Sequence, residues 1–319
     1  MDCFDDLLAP LDRARFFAEH WGRQSIVIAG DRRKFGRLPG VAELPAMLAG
    51  RLSPERWTAG PFSSAQVTFI DRHGATQRLT APSTMWGSLY NAGFSICLGP
   101  VDRTHPELVR FVGAFSDTTP YAGSIVTTCY LTPPGSGYVM HFDVQHNFLL
   151  QVSGEKHWTY GSRPAVADPV IGMSAPEVAA PAFQKQSAAL GVLVAAPADT
   201  GLREAVLREG DILYMPPGVW HHGRTEESHS FHYTLTFEPM WPWAVLKSFL
   251  TRQLVQQSSW RADLRYPLES GAPRQSELVA QALEDLRTAI ARVTPDELAQ
   301  LYLTTQATPG LTLFAGKGV

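Results

Sequence analysis

The sequence predicts a mainly β protein with helical additions, and three observations carry that expectation. From Ile125 to about Pro239 the chain runs as short β-rich stretches, SIVTTCYLTP, HNFLLQVSG, EKHWTYG, GDILYMPPG and SFHYTLTFEP, each closed by a Gly or Pro turn. That is the pattern of an antiparallel sandwich or barrel. Ahead of it, helix-like and strand-like segments alternate; after Pro242 the apolar period becomes helical. A chain of 319 residues, 45% hydrophobic and 18% charged, carries enough apolar surface for one large or two modest cores.

In chain order, PLDRARFFAEHWGRQSIVIAG puts Leu11, Phe16, Phe17 and Trp21 at helical spacing and then gives Ser25–Ala29 as a β-branched run ending at Gly30. AQVTFIDRHGATQRLT is a hairpin pattern with His73-Gly74 at its turn. GFSICLGPVDRTHPELVRFVGAF is a strand, a loop and a helix starting near Pro106. Within the β-rich region, SRPAVADPVIGMSAPEVAAPAFQKQSAALG is rich in Ala, Pro and Ser with weak periodicity, and is expected to be a long insertion over the barrel mouth. Beyond the barrel, Val279, Leu283, Leu286 and Ile290 are spaced four, three and four apart, and Thr294-Pro295-Asp296-Glu297 is a helix start with Thr as cap and Pro in the first turn. These helices are expected either to complete the core or to pair two chains as a homodimer. The expected division is 1–90 as an α/β segment packing on the barrel, 91–240 as the barrel and 241–319 as a helical region.

The charge balance, 27 basic against 30 acidic residues with no long run of either sign, gives no reason to expect direct nucleic-acid or anionic-membrane binding. Cys3, Cys97 and Cys129 are odd in number and widely spaced, which argues against a disulfide framework and a thiolate zinc site and suits a cytoplasmic location. The start MDCFDDLL is acidic with no apolar leader, and no run of 18 apolar residues occurs.

The chemistry is concentrated in GYVMHFDVQHNFLLQVSGEKHW (137–158). Residues two apart on a strand share a face, so His141 and Asp143 project together and can bind one metal ion. A third ligand has to come from a distant strand, and PPGVWHHG supplies His221 and His222. Two His and one carboxylate form the facial triad that leaves coordination positions open on non-haem Fe(II), although zinc would accept the same donors. Asn147 and Gln151 are in phase with His141 and are expected to orient the site; His232 is expected to hydrogen-bond in the core.

Taken together, FFAEHWGRQSIVIAG, YLTPPGSGYVMHFD, FLLQVSGEKHW and GDILYMPPGVWHHG resemble the JmjC-type cupin oxygenases, specifically their ribosomal-oxygenase-like branch, across the spine of residues 16–240. The resemblance implies a double-stranded β-helix for the barrel. It implies His141, Asp143 and His221 as metal ligands, with His222 the alternative third. It further implies Fe(II), O2 and 2-oxoglutarate, the last meeting Lys156 through its far carboxylate, with Tyr130 and Thr234 lining the same pocket. Thr128 falls where relatives carry an asparagine.

The activity so implied is oxidative decarboxylation of 2-oxoglutarate coupled to hydroxylation of a side chain in a protein or peptide. A ribosomal protein and a natural-product peptide are both candidates, because residues 241–319 are too few for dimerisation helices followed by a full winged helix. The rival expectation is a metal-binding cupin that is not an oxygenase: a sensor, a binding module or an isomerase.

Overall fold

A computed structural model of the chain describes residues 4–43, 64–70, 76–102, 104–119, 125–239, 241–242, 245–246, 249–250, 254–255, 258–261 and 275–300. Its core is two antiparallel sheets. The larger has the order β1-β11-β7-β13-β5-β4-β2-β3 and the smaller β10-β8-β12-β6-β9. The strands are β1 (Ile26–Ile28), β2 (Ser64–Ile70), β3 (Thr76–Pro82), β4 (Ser95–Leu98), β5 (Ile125–Thr132), β6 (His141–Phe142), β7 (His146–Gly154), β8 (Lys156–Gly161), β9 (Met173–Ser174), β10 (Leu202–Leu207), β11 (Ile212–Met215), β12 (His221–Arg224) and β13 (Ser230–Phe237).

From β5 onward the chain crosses repeatedly between sheets. β5, β7, β11 and β13 belong to one, and β6, β8, β10 and β12 to the other. This is the double-stranded β-helix that the resemblance implied. Alternation explains why each strand takes part in it. On β13, Phe231, Tyr233, Leu235 and Phe237 enter the main apolar core with Phe4, Phe16, Phe115, Phe148 and Tyr214. The intervening residues, His232, Thr234 and Thr236, face the interior between the sheets. β5 follows the same rule, with Cys129 in the main core and Thr128, Tyr130 and Thr132 on the inner face. Leu149, Leu213 and Met215 of the larger sheet meet Trp158, Tyr160, Leu207 and Val219 of the smaller side and close the barrel.

The N-terminal elements are sealed onto this barrel. Asp12 caps the helix Arg13–Glu19 by accepting from the Arg15 amide at 2.9 Å. Trp21 stacks on His146 at 3.9 Å, and β1 pairs with β11, Ile26 opposite Tyr214. The helix near Pro106 spans Pro106–Thr118 with His105 as its cap. The hairpin β2–β3 forms with Ile70 opposite Thr76; its expected turn at His73-Gly74 lies outside the described residues, as does Cys3.

The insertion differs from its expected form as a long loop. It contains β9 and two helices, Ala175–Ala179 and Pro181–Leu190. Its periodicity is weak because short helices built from Ala, Ser and Gln bury few large side chains: Val178 and Phe183 pack with Ala165, Phe142 and Trp220. Glu177 accepts from the Ser174 amide at 2.7 Å and starts the first of these helices.

Residues 1–121 and 125–239 form one compact unit, and 122–124 with 240–319 a second. In the second, the helix Gln275–Ile290 leaves Val279, Leu283 and Ile290 exposed, and Trp260 donates to Asp285 at 3.3 Å. Thr294 and Glu297 exchange the two capping hydrogen bonds that the sequence pattern anticipates. Among the described residues no helix is long and apolar enough to cross a membrane.

Candidate metal centre

His141 begins β6, Asp143 follows it, and His221 begins β12, where it pairs directly with His141. One ligand atom from each of the three lies within 4.8 Å of the others. The two imidazoles make the same backbone contact. Nδ1 of His141 is 2.8 Å from the Val139 carbonyl, and Nδ1 of His221 is 2.9 Å from the Val219 carbonyl. A carbonyl can only accept, so each Nδ1 carries the hydrogen and each Nε2 keeps its lone pair for a metal. Burial draws the His221 pKa down to about 4, aided by the neighbouring His141 and opposed by Asp143, which keeps the ring neutral as a ligand must be.

Asp143 is held by a two-step relay. Asn147 donates to its Oδ2 at 2.8 Å, and Thr236 donates to the Asn147 carbonyl oxygen at 3.0 Å. The Asp143 side chain is 37% exposed and that of His221 only 6%, so the centre opens to solvent on the aspartate side. Gly218, with φ of +78°, turns the chain into His221; a Cβ there would sit 2.3 Å from the Val166 carbonyl oxygen. His222, next along the extended strand, points to the opposite face, and it is His221 that shares the cluster with His141 and Asp143.

The other predicted residues gather deeper. Lys156, at the start of β8, is fully buried. Its Nζ donates to Thr132 Oγ1 at 3.2 Å and lies 5.4 Å from the Tyr138 ring and 5.1 Å from the Trp158 ring. Among the described residues it forms no ion pair. Burial lowers its pKa to about 7. Room for its stem comes from Gly223 on β12, where a Cβ would lie 2.9 Å from Lys156 Cε and 2.8 Å from the Trp158 ring. Thr234 and Thr128 sit opposite each other on β13 and β5. Thr128 packs against Gly99, where a Cβ would come within 2.4 Å of its hydroxyl oxygen. Tyr130 is hydrogen-bonded to Cys97, its partner on β4, whose sulfur together with burial holds the phenol protonated.

Gln151 and His232 depart from their expected roles. Gln151 does not touch the ligands; it donates to the Ser153 carbonyl and to Ser230 and pins the Gly154 turn. Trp220 is core, packed edge-on to Phe142 with its indole on the Ala195 carbonyl. His232 makes no core hydrogen bond through Nδ1 and instead lies flat on Tyr130 at 4.9 Å. Thr132, Trp158 and Cys97 were missed. Thr132 was findable, being in phase with Thr128 and Tyr130, whereas Cys97 depends on a pairing between distant segments.

The donor set fits a divalent metal: two neutral imidazoles and a carboxylate at one point, with an open side. The surroundings of Lys156 suit an anion, because a buried ammonium without a counter-charge is costly.

Residues 114–242 match the JmjC domain family, and an overlapping match over 199–305 is to the AraC-like ligand binding domain. Among curated relatives, the bifunctional lysine-specific demethylase and histidyl-hydroxylase NO66 of Aedes aegypti is 34% identical over 139 residues, 43% of this chain and 20% of that protein. Human ribosomal oxygenase 1 is 27% identical over 238 residues, 73% of this chain and 34% of that one. The chain thus spans well under half the length of these relatives. Among solved structures, the ribosomal oxygenase YcfD from Escherichia coli in complex with cobalt and 2-oxoglutarate superposes with a TM-score of 0.56 at 18% identity, over 92% of this chain and 70% of that one. Motif order, strand crossing pattern and family match agree: residues 114–242 are similar to the JmjC domain family, and the barrel shares the fold of the ribosomal oxygenase structure.

Proposed function

We propose that the protein is an Fe(II)- and 2-oxoglutarate-dependent oxygenase that hydroxylates a side chain of a protein or peptide. The observation that carries this reading is the pairing of a His-Asp-His cluster of fixed tautomers with a buried, anion-less lysine in one barrel. His141, Asp143 and His221 would hold the metal. Lys156 and Thr132 would receive the far carboxylate of the keto acid, and Thr234 and Tyr130 would line the cavity between. When bound, iron and 2-oxoglutarate supply the oxidising chemistry that places one oxygen atom on a substrate carbon. The chain's own part is to ligate, to orient and to keep water out, the last through Trp158, Val219 and Leu149.

A polypeptide substrate is supported by the names of the relatives, a histidyl-hydroxylase and ribosomal oxygenases, and a ribosomal protein is the leading class. Location in the cytoplasm and pairing of two chains through the helix Gln275–Ile290 belong to the same reading. The overlapping match to a ligand-binding domain favours a second one, a metal cupin that binds without oxidising.

One experiment separates them: succinate release from 2-oxoglutarate by the Fe(II)-loaded protein in air, alongside calorimetric binding of 2-oxoglutarate to the Mn(II)-loaded protein. Binding with turnover that His141→Ala abolishes is expected. Absence of both binding and turnover in the wild type would leave the non-oxygenase reading.

A further inference from the structure

Two buried ring nitrogens beside Lys156 have no hydrogen-bond partner among the described residues. His232 is 2% exposed and its Nδ1 has no hydrogen-bond partner; Trp158 is 6% exposed and its Nε1 has none either. The two rings meet edge to face at 5.8 Å, and Lys156 Nζ lies 5.1 Å from the same indole. His232 is also fixed in orientation, parallel to Tyr130 within 3°. Buried side-chain donors are nearly always paired, so two orphans around an ammonium that lacks a carboxylate call for an explanation.

Packing does not supply one. A phenylalanine at 232 would stack on Tyr130 equally well and would bury no polar atom. Burial, aided by the adjacent Lys156 charge, holds the imidazole neutral, so one of its two ring nitrogens carries an N–H, and the proposal places it on Nδ1. An acceptor able to satisfy an ammonium, an imidazole and an indole together needs several lone pairs at one point, and a carboxylate has about four such sites. A keto acid without a second carboxylate would leave all three donors unpaired, which is the most effective way for a site to reject an analogue.

We propose that His232 is a specificity-determining residue that donates to the far carboxylate of the dicarboxylic keto acid, with the Trp158 indole as second donor beside Lys156. The proposal rests on the oxygenase reading above for the identity of the keto acid. His232 then ranks the cavity's ligands by their distal end and leaves their metal-binding end untouched.

The test is calorimetric affinity of the Mn(II)-loaded protein for 2-oxoglutarate and for 2-oxopentanoate, which has the same chain length and no far carboxylate. His232→Phe, which keeps the stack, is expected to weaken 2-oxoglutarate about tenfold and to leave 2-oxopentanoate unchanged, so that the ratio of the two dissociation constants falls about tenfold. His232→Asn, which restores a donor, is expected to recover most of that ratio. An unchanged ratio in His232→Phe, or an equal loss for both ligands, overturns the proposal. If His232→Phe does not fold, His232→Leu, which likewise lacks a donor, must lower the ratio about tenfold, and an unchanged ratio there overturns the proposal. Failure of the wild type to bind 2-oxoglutarate would instead overturn the oxygenase reading itself.

Discussion

The His-Asp-His cluster and the surroundings of Lys156 obey opposite rules. At the metal end every polar group has a protein partner: both Nδ1 atoms face backbone carbonyls, and Asp143 is tied through Asn147 to Thr236. At the lysine end, among the described residues, Lys156 has no counter-charge and the Trp158 Nε1 and His232 Nδ1 atoms have no hydrogen-bond partner. The first end is completed by the fold and is ready for a metal. The second is completed only by what binds there, so its residues cost stability in the ligand-free state and return it in the bound one.

Replacing Lys156 by Met is the strongest way to break that contrast. We expect 2-oxoglutarate affinity to fall by about a hundredfold or more, the loss of a charge-assisted, desolvated contact. The ligand-free variant should nonetheless melt higher than wild type, by the equivalent of about 1–3 kcal/mol, because an unpaired buried ammonium is replaced by an apolar chain of similar shape. Calorimetric titration and thermal unfolding measure the two effects, and a variant that melts lower would show that Lys156 is compensated within the protein. At the metal end, Asn147→Ala frees Asp143 to turn and should weaken metal binding about 10- to 100-fold, with unfolding in the absence of metal little altered. Competition with a chelating indicator reads this directly.

A third effect is in pH. The folded pKa of Lys156 is about 7, well below its value in an unfolded chain, so between the two the unfolded state binds the extra proton. Stability of the ligand-free wild type should therefore rise as pH increases from about 7 towards 10, more than in Lys156→Met. Denaturation midpoints across that range test it, and saturating 2-oxoglutarate, which restores the charged form, should flatten the difference.

The same contrast governs what could be read from the sequence. The metal end is written in local spacing: His141 and Asp143 two apart, and a Pro-Pro-Gly turn that delivers His221. The barrel follows from alternation, as in SFHYTLTF, where one set of residues builds the core and the other faces the cavity. The deep end is a product of pairing between segments far apart in the chain. Nothing near Cys97 announces that it will lie against Tyr130, and nothing near His232 announces a ring stacked without a hydrogen bond. The insertion was underestimated for a related reason, since helices that bury one or two large side chains leave almost no periodic signal. Lys156 was legible only through resemblance, because a Gly-Glu-Lys turn taken alone reads as solvent-exposed.

The depth of Lys156 also has a kinetic meaning. The centre opens on the Asp143 side while the ammonium is fully buried, so on the proposed reading a small dicarboxylate would enter past the side that a polypeptide would cover. If the proposed oxygenase reading holds, position in space becomes order in time: the keto acid would load first and its spent product would leave only after the polypeptide had gone. A succinate inhibition pattern competitive with 2-oxoglutarate and not with the polypeptide is the signature to look for.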